Sequence, residues 1–423
     1  MTANIKTTPL NAWHRNQGAN MADFGGYDMP LWYSSVKEEH LCVLTGAGVF
    51  DTSHMAVVTV AGADAADLLQ LCFTNNLDAC VGPSKKPLSP GRCVYGAFLD
   101  ERGHTIDDAI VFFLEAGSYM VVVNAGMGGA IAGHLQRHLG DRDAAVVDLS
   151  DRLGKMDIQG PAAAKILTTV LAEPQAVFSD MPYFSFKGHY DDSSPLADAV
   201  RLDDGTPILL SRTGYTGEFG FEIFLAPDKI VDLWNRLLQA GQAHGIRPCG
   251  LAARDSLRAG AVLPLSHQDI GHWPFINHPW PFALPFTNDQ TGFTKNFIGR
   301  SALENPSEIA FTQAFVGKDL RKITAGEESR VIDADGRNIG KVLTCATDMG
   351  IGRHEGAIFS VASPDLPQGF KAKGLCCGFV KVVRRLKPGE HVDIADNRRS
   401  ITVTVTEDVR PDRTARRPIA RMI

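Results

Sequence analysis

The chain has 423 residues, 44% of them hydrophobic and 21% charged, with a formal net charge of −6. That length predicts two or three domains with sizeable cores, and the acidic balance excludes a nucleic-acid partner held mainly by electrostatics. No apolar run approaches the roughly 20 residues that would span a bilayer, and the opening residues Met1-Thr-Ala-Asn-Ile-Lys6 show no apolar secretory core.

The predicted elements follow in chain order. Asp23-Phe-Gly-Gly-Tyr-Asp-Met-Pro-Leu-Trp-Tyr33 reads as an aromatic turn, and residues 36–44 as a helix leading to Phe50-Asp-Thr-Ser-His-Met55. Val57-Val-Thr-Val60 alternates as a strand, and residues 63–71 form a short helix with Leu68, Leu69 and Leu71 on its apolar side. Residues 93–99 and 109–114 flank the polar turn Asp100-Glu-Arg-Gly103 as a hairpin. A strand over 119–123 and a helix over 128–138 come next. Strands near 155–158 and around 208–224 bracket a helix over 161–171, and a further helix covers 228–243. Strands paired as hairpins with helices laid on one face give an α+β class.

Ser211-Arg-Thr-Gly-Tyr-Thr-Gly-Glu-Phe-Gly-Phe-Glu-Ile223 sets three glycines, two threonines, a tyrosine and two carboxylates between strand-like runs. Taken alone it is a hairpin with a glycine-rich turn. Residues 271–286, with four prolines, two tryptophans and two histidines, form an ordered aromatic loop that either caps a core edge or walls a pocket. From about Phe311 short strands predict a C-terminal β-barrel or sandwich. The arginines at 410, 413, 416, 417 and 421 read as a solvated tail or as a basic contribution to an anionic ligand. Expected divisions are residues 1–150, 151–305 and 306–423.

The eight cysteines, at 42, 72, 80, 93, 249, 345, 376 and 377, make no CxxC or zinc spacing. They are expected to be reduced and mostly buried, as in a cytoplasmic protein, and Cys376-Cys377 to be core. No metal is expected, because His272 and His278 lack partners at ligand spacing. Asp107 and Asp108 begin a strand, so they are expected on opposite faces, one structural and one toward a pocket. Arg254 and Arg258 are four apart and share a helix face. By themselves Asp108 reads as a turn carboxylate and Arg254 as an ion-pair partner.

Together these segments resemble the aminomethyltransferase family, the glycine cleavage T-proteins and their folate-dependent relatives. The resemblance rests on Asp23-Phe-Gly-Gly-Tyr-Asp-Met-Pro30, Phe50-Asp-Thr-Ser-His-Met55, Ile106-Asp-Asp108, Val122-Val-Asn124, Gln159-Gly-Pro161, the 212–222 motif, Gly250-Leu-Ala-Ala-Arg-Asp255 and Phe297-Ile-Gly299. It implies three domains in a ring around a central tetrahydrofolate site, with a catalytic carboxylate at Asp108 and a pterin-recognising one at Glu222. It also implies folate contacts at Met55, Tyr95, Val123, Asn124, Tyr215 and Arg254.

The implied activity is aminomethyl transfer from a dihydrolipoyl carrier protein to tetrahydrofolate, as co-substrate, giving 5,10-methylenetetrahydrofolate and ammonia, with no metal, nucleic acid or membrane involved. The chain departs from the family pattern at Gly260, where a Glu is usual, and at Asn277-His-Pro-Trp-Pro-Phe-Ala283, which also lacks a Glu. Gly260, Trp273, His278 and Trp280 are therefore expected on the donor side. An aromatic wall there would suit a small N-, O- or S-methyl donor yielding 5-methyltetrahydrofolate. A non-catalytic folate-binding protein of the same fold is the third reading.

Overall fold

The computed structural model describes residues 5–306 and 308–423. The fold is mixed α+β and ends in a closed barrel. One antiparallel sheet runs in the order Arg92–Leu99, Thr105–Glu115, Ser118–Val123, Ala56–Ala61 and Ala145–Asp148. Alternation along these strands sorts their side chains between two faces. Val58, Val60, Val121 and Val123 pack under the helices Ala65–Cys72 and Gly128–Arg137, whose Leu68, Leu69, Ile131 and Leu135 are fully buried. Val57, Phe112, Met120 and Val122 face the other way and meet Phe186, Leu209 and Phe224 of a second sheet.

That second sheet runs Phe186–Gly188, Leu209–Ser211, Gly220–Leu225, Gly154–Gln159, Gly48–Asp51 and Arg247–Pro248. Its outer face carries Ile158, Phe221 and Ile223 against Leu233, Trp234 and Leu237 of the helix Ile230–Ala240. Each such large apolar side chain contributes roughly 1.5–3 kcal/mol on burial. The result is a helix–sheet–sheet–helix stack. The chain crosses between the sheets at residues 52–55, because Gly48–Asp51 belongs to one and Ala56–Ala61 to the other.

The predicted hairpin around 208–224 is present, with Leu209 opposite Phe224 and Ser211 opposite Glu222. The aromatic turn lies in a two-stranded hairpin, Asn20–Phe24 with Tyr27–Trp32, turned by Gly25 and Gly26, both at positive φ. The helix expected over 161–171 is shorter: Ala163–Leu167 is helical, and a second short helix, Pro174–Phe178, follows after a turn. The two Thr residues after Leu167 bond their hydroxyls back to Lys165 and Ile166 carbonyls, which competes with helix continuation.

The C-terminal barrel closes in the order Phe311–Gly317, Leu375–Val382, Asn338–Asp348, Arg330–Ile332, His391–Ala395 and Ser400–Val405. Cys376 and Cys377 are core residues there, at 0% exposure. The helix Leu251–Gly260 joins barrel to sheets, with Ala259 packed beside Ala314, Val316 and Phe379.

The arginine-rich tail is only partly solvated: Arg416 and Arg421 are exposed, but its first arginine is not. Arg410 is fully buried and donates to Glu218, to Asp348 at 2.5 Å and to the Thr216 carbonyl. Arg212, from the glycine-rich motif, reaches the Ala415 and Arg417 carbonyls at 2.8 and 3.2 Å. A buried guanidinium must be paired, and Glu218 with Asp348 supplies the counter-charge, so the tail is an interlock between barrel and motif.

Candidate functional site

Two clusters of charge lie inside the stack, joined by one loop. The first is built on the strand Thr105–Glu115. Asp108 Oδ2 accepts from the Tyr95 hydroxyl at 2.9 Å, and Asp108 Oδ1 from Asn124 Nδ2 at 2.6 Å. The same Asn124 amide donates to Asp107 Oδ1 at 2.7 Å, and its backbone N–H to Asp107 Oδ2 at 2.9 Å. The two residues alternate along the strand as expected, Asp107 fully buried and Asp108 partly open, yet Asn124 bonds both carboxylates. Pairing with the neighbouring strand stops at Ala109–Val123, so Asn124 turns over the open strand end and gathers both.

Burial first, and the neighbouring Asp107 second, push the Asp108 carboxyl up to about 6. Like-charged carboxylates sharing a site disfavour double ionisation. Ser266 Oγ donates to Asp107 at 2.9 Å, and His267 Nε2 lies 3.2 Å from it. The Asp107 bond, ahead of an opposing burial effect, raises the His267 imidazole. His267 sits at φ 63°, a left-handed conformation uncommon outside glycine.

The second cluster spans adjacent strands of the other sheet. Lys155 Nζ donates to Glu222 at 2.6 Å, to Asp157 at 2.9 Å and to Thr52 Oγ1 at 3.1 Å. Arg254 Nη1 reaches Asp157 Oδ2 at 2.7 Å. Thr213 donates to the other Glu222 oxygen. Burial would raise Asp157, but Lys155 and Arg254 outweigh it and hold the carboxyl at about 2. Two carboxylates and two cations thus alternate in a row that is almost wholly buried.

The glycine-rich loop shapes this cluster through close approach. Gln159, of the Gln-Gly-Pro motif, accepts from Thr216 at 3.0 Å and lies so near Gly214 that a Cβ there would stand 2.2 Å from it. Gly217 has φ +77°, which side-chain-bearing residues resist. Tyr215 lies 5.2 Å from the Arg254 guanidinium, ring centre to carbon, and its hydroxyl donates to the Pro264 carbonyl at 2.6 Å. Residues 264–267 thereby tie the clusters together: Pro264 binds Tyr215, while Ser266 and His267 bind Asp107.

Tyr95, Asp108, Asn124, Tyr215, Glu222 and Arg254 are thus brought into two connected groups, with Val123 buried directly before Asn124. Met55 packs at the seam between the sheets. Of the donor-side residues, Trp280 meets Tyr95 edge-on at 4.6 Å between ring centres. The others go elsewhere. Trp273 stacks on His278 and takes Lys381 of the barrel 4.3 Å from its ring, and both aromatic side chains are buried. Gly260 lies under the Asp348–Arg410 pair, where a Cβ would come 1.9 Å from Asp348 Oδ2.

Lys155, Asp157, Ser266 and His267 escaped the sequence reading. Lys155 and Asp157 had a signal: two charges at i and i+2 of an otherwise apolar strand share one face. Ser266 and His267 had none, since their role depends on a loop crossing to a distant strand.

The sequence matches the family described as the GCVT N-terminal domain over residues 10–273. It is 35% identical over 396 residues to an aminomethyltransferase of Bordetella parapertussis, covering 93% of each chain. It is 38% identical over 354 residues to one of Bacillus mycoides, covering 80% of this chain and 90% of the relative. The fold is similar to the glycine cleavage system aminomethyltransferase T of Bartonella henselae, with TM-score 0.73, 26% identity, and 95% and 97% of the two chains covered.

Proposed function

This chain belongs to the GCVT aminomethyltransferase family, and from that premise we propose that it transfers an aminomethyl group from a dihydrolipoyl-bearing carrier protein to tetrahydrofolate, leaving 5,10-methylenetetrahydrofolate, ammonia and the free dihydrolipoyl thiol. The observation that carries the reading is the pairing of two carboxylate sites fixed by hydrogen bonds, Asp108 and Glu222, linked through Tyr215 and residues 264–267.

The donor set fits a pterin. A carboxylate offers about four acceptor positions, and Glu222 has spent two on Lys155 and Thr213. The remaining ones suit two adjacent N–H donors, as charge-assisted bonds. When bound, tetrahydrofolate supplies the nucleophilic amine that accepts the one-carbon unit. Asp108, fixed by Tyr95 and Asn124, orients that amine region and stabilises positive charge developing beside it. A carboxyl near 6 also accepts and returns a proton close to neutral pH. Arg254, anchored by Asp157, keeps its remaining donors for an anionic tail.

A second donor class is supported by the aromatic corner of Tyr95, Trp280 and Phe282 beside Asp108. Such a corner would take a small methylated donor through cation–π contact or packing. The two separate by product. Incubated with tetrahydrofolate and aminomethylated lipoyl carrier, the protein is expected to form methylenetetrahydrofolate, read by mass. Methyltetrahydrofolate formed from a small methyl donor, with no turnover of the carrier, would overturn the aminomethyl assignment.

Among the described residues no helix is long and apolar enough to cross a membrane.

A further inference from the structure

Outside this site, three ligand-type side chains converge on the outer face of the first sheet. Cys72 is the last residue of the helix Ala65–Cys72; His134 and His138 lie at the C-terminal end of Gly128–Arg137. One ligand atom from each lies within 4.8 Å of the others. The histidines are four apart on a helix, so they project from one face. Cys72 and His134 are 1% and 2% exposed, while His138 is partly open to solvent and gives an entry path.

We propose that Cys72, His134 and His138 form a binding site for a divalent cation of the zinc class, with a fourth position open to water. Four observations support it. His134 Nε2 is buried and has no hydrogen-bond partner among the described residues. An unpaired buried nitrogen costs free energy that a ligand would relieve. His138 Nδ1 lies 2.9 Å from the His134 carbonyl, so it carries the proton and leaves Nε2 with a free lone pair. That arrangement, with the outer nitrogen donating to a carbonyl, is how metal-binding imidazoles are oriented.

The third observation is electrostatic. Two helices end at this point, and the carbonyl ends of helix dipoles favour a cation. Fourth, the donor set itself is selective. One thiolate and two imidazoles suit zinc, and three protein ligands with an open position are a known zinc arrangement. Without a metal, burial pushes the Cys72 thiol up to about 12, and Arg142 and Lys295 oppose this only in part. Burial first, then His138 and Arg137, lower the His134 imidazole, against Glu101 and Asp100, so both side chains present neutral, uncharged donors to an incoming cation. On binding, the S–H bond breaks, sulfur bonds the metal and the proton leaves to solvent, so affinity rises with pH. A filled site would clamp together the two helices that cover the sheet bearing Asp108 and Asn124.

The test is titration of the full-length, chelator-treated protein with Co²⁺ as a spectroscopic substitute, followed by Zn²⁺ displacement. The expected result is one Co²⁺ per chain with a thiolate-to-cobalt charge-transfer band, and a rise in Tm with Zn²⁺. Cys72→Ser should abolish the band. His138→Gln, at the open edge, should fold normally and weaken binding at least about tenfold, the lower bound for loss of even a supporting partner. No band in the unaltered protein would overturn the proposal. So would a band retained in Cys72→Ser, since seven other cysteines are present. Should Cys72→Ser fail to fold, unchanged affinity in His138→Gln is decisive against the site.

Discussion

Glu222 and Asp157 stand directly opposite each other on paired antiparallel strands, and both accept a hydrogen bond from the same Lys155 ammonium. Like charges at opposed positions destabilise a sheet, and here both are buried. Lys155 turns a repulsive pair into a bridged one, and Arg254 takes the second Asp157 oxygen. The network fixes the orientation in which Glu222 meets a ligand, because one carboxylate oxygen is held by Lys155 and the other by Thr213.

Lys155→Met removes the bridge. Two buried carboxylates then face each other with only Arg254 as counter-charge, and loss of one partner from a buried pair costs about 3–5 kcal/mol. Chemical denaturation should show a loss of that order. Adding Glu222→Gln to Lys155→Met should recover a substantial part, since one of the stranded charges is gone. Simple additivity of the two changes would show that the bridge is not what holds them.

Glu222→Gln alone replaces half of an all-acceptor surface with a donor. Tetrahydrofolate affinity should fall by at least about tenfold, or roughly 1.4 kcal/mol, as read by calorimetry. Unchanged affinity would exclude Glu222 as the pterin carboxylate.

Asp108 carries a pH signature of its own. Its folded value, near 6, exceeds the ordinary carboxyl value near 4. The folded state therefore holds this proton more tightly than the unfolded chain. Stability falls as pH rises from about 4 to about 6 and stays lower above that, by at most on the order of 3 kcal/mol. Asp108→Asn removes the penalty. An Asn there can accept from Asn124 and donate to Tyr95, so it should raise stability at neutral pH and show little gain at pH 4. Turnover should drop at least about a hundredfold. Enzyme activity in the unaltered protein should rise through an apparent pKa near 6 as the Asp108 carboxyl ionises. A variant with normal turnover would remove Asp108 from the chemistry.

The legible parts of this fold are those written in local periodicity. Alternation at 57–60 places a strand, and glycines at 214, 217 and 220 mark a hairpin loop. The illegible parts depend on what distant chain brings. Arg410 looks solvated until Asp348 and Glu218 arrive to pair with it. Asp107 and Asp108 alternate as a strand dictates, but their sharing of Asn124 arises only because the neighbouring strand ends one residue early and that residue turns over both. Trp273 and His278 have the composition of a pocket wall, but a barrel lysine and each other complete their packing.

Gly260 gives the sharpest structural test, because its lack of a side chain is what admits Asp348. A Cβ at 260 would stand 1.9 Å from Asp348 Oδ2 and 3.0 Å from Arg410 Nη1. Asp348 cannot simply step back. Its other oxygen is held by His40 at 2.8 Å and by the Gly350 backbone at 2.9 Å. Burial opposes the Asp348 charge, yet His40 and Arg410 keep its carboxyl well below the ordinary range. Gly260→Ala must therefore break part of a buried ionic lock, and should cost more than the 1–3 kcal/mol or so of ordinary overpacking. With Asp348→Ala already present the obstruction is gone, so the same change should cost far less. A double-mutant cycle by denaturation reads the difference as a coupling energy. A cost for Gly260→Ala that is equal in both backgrounds would mean that the crowding lies with other neighbours of residue 260.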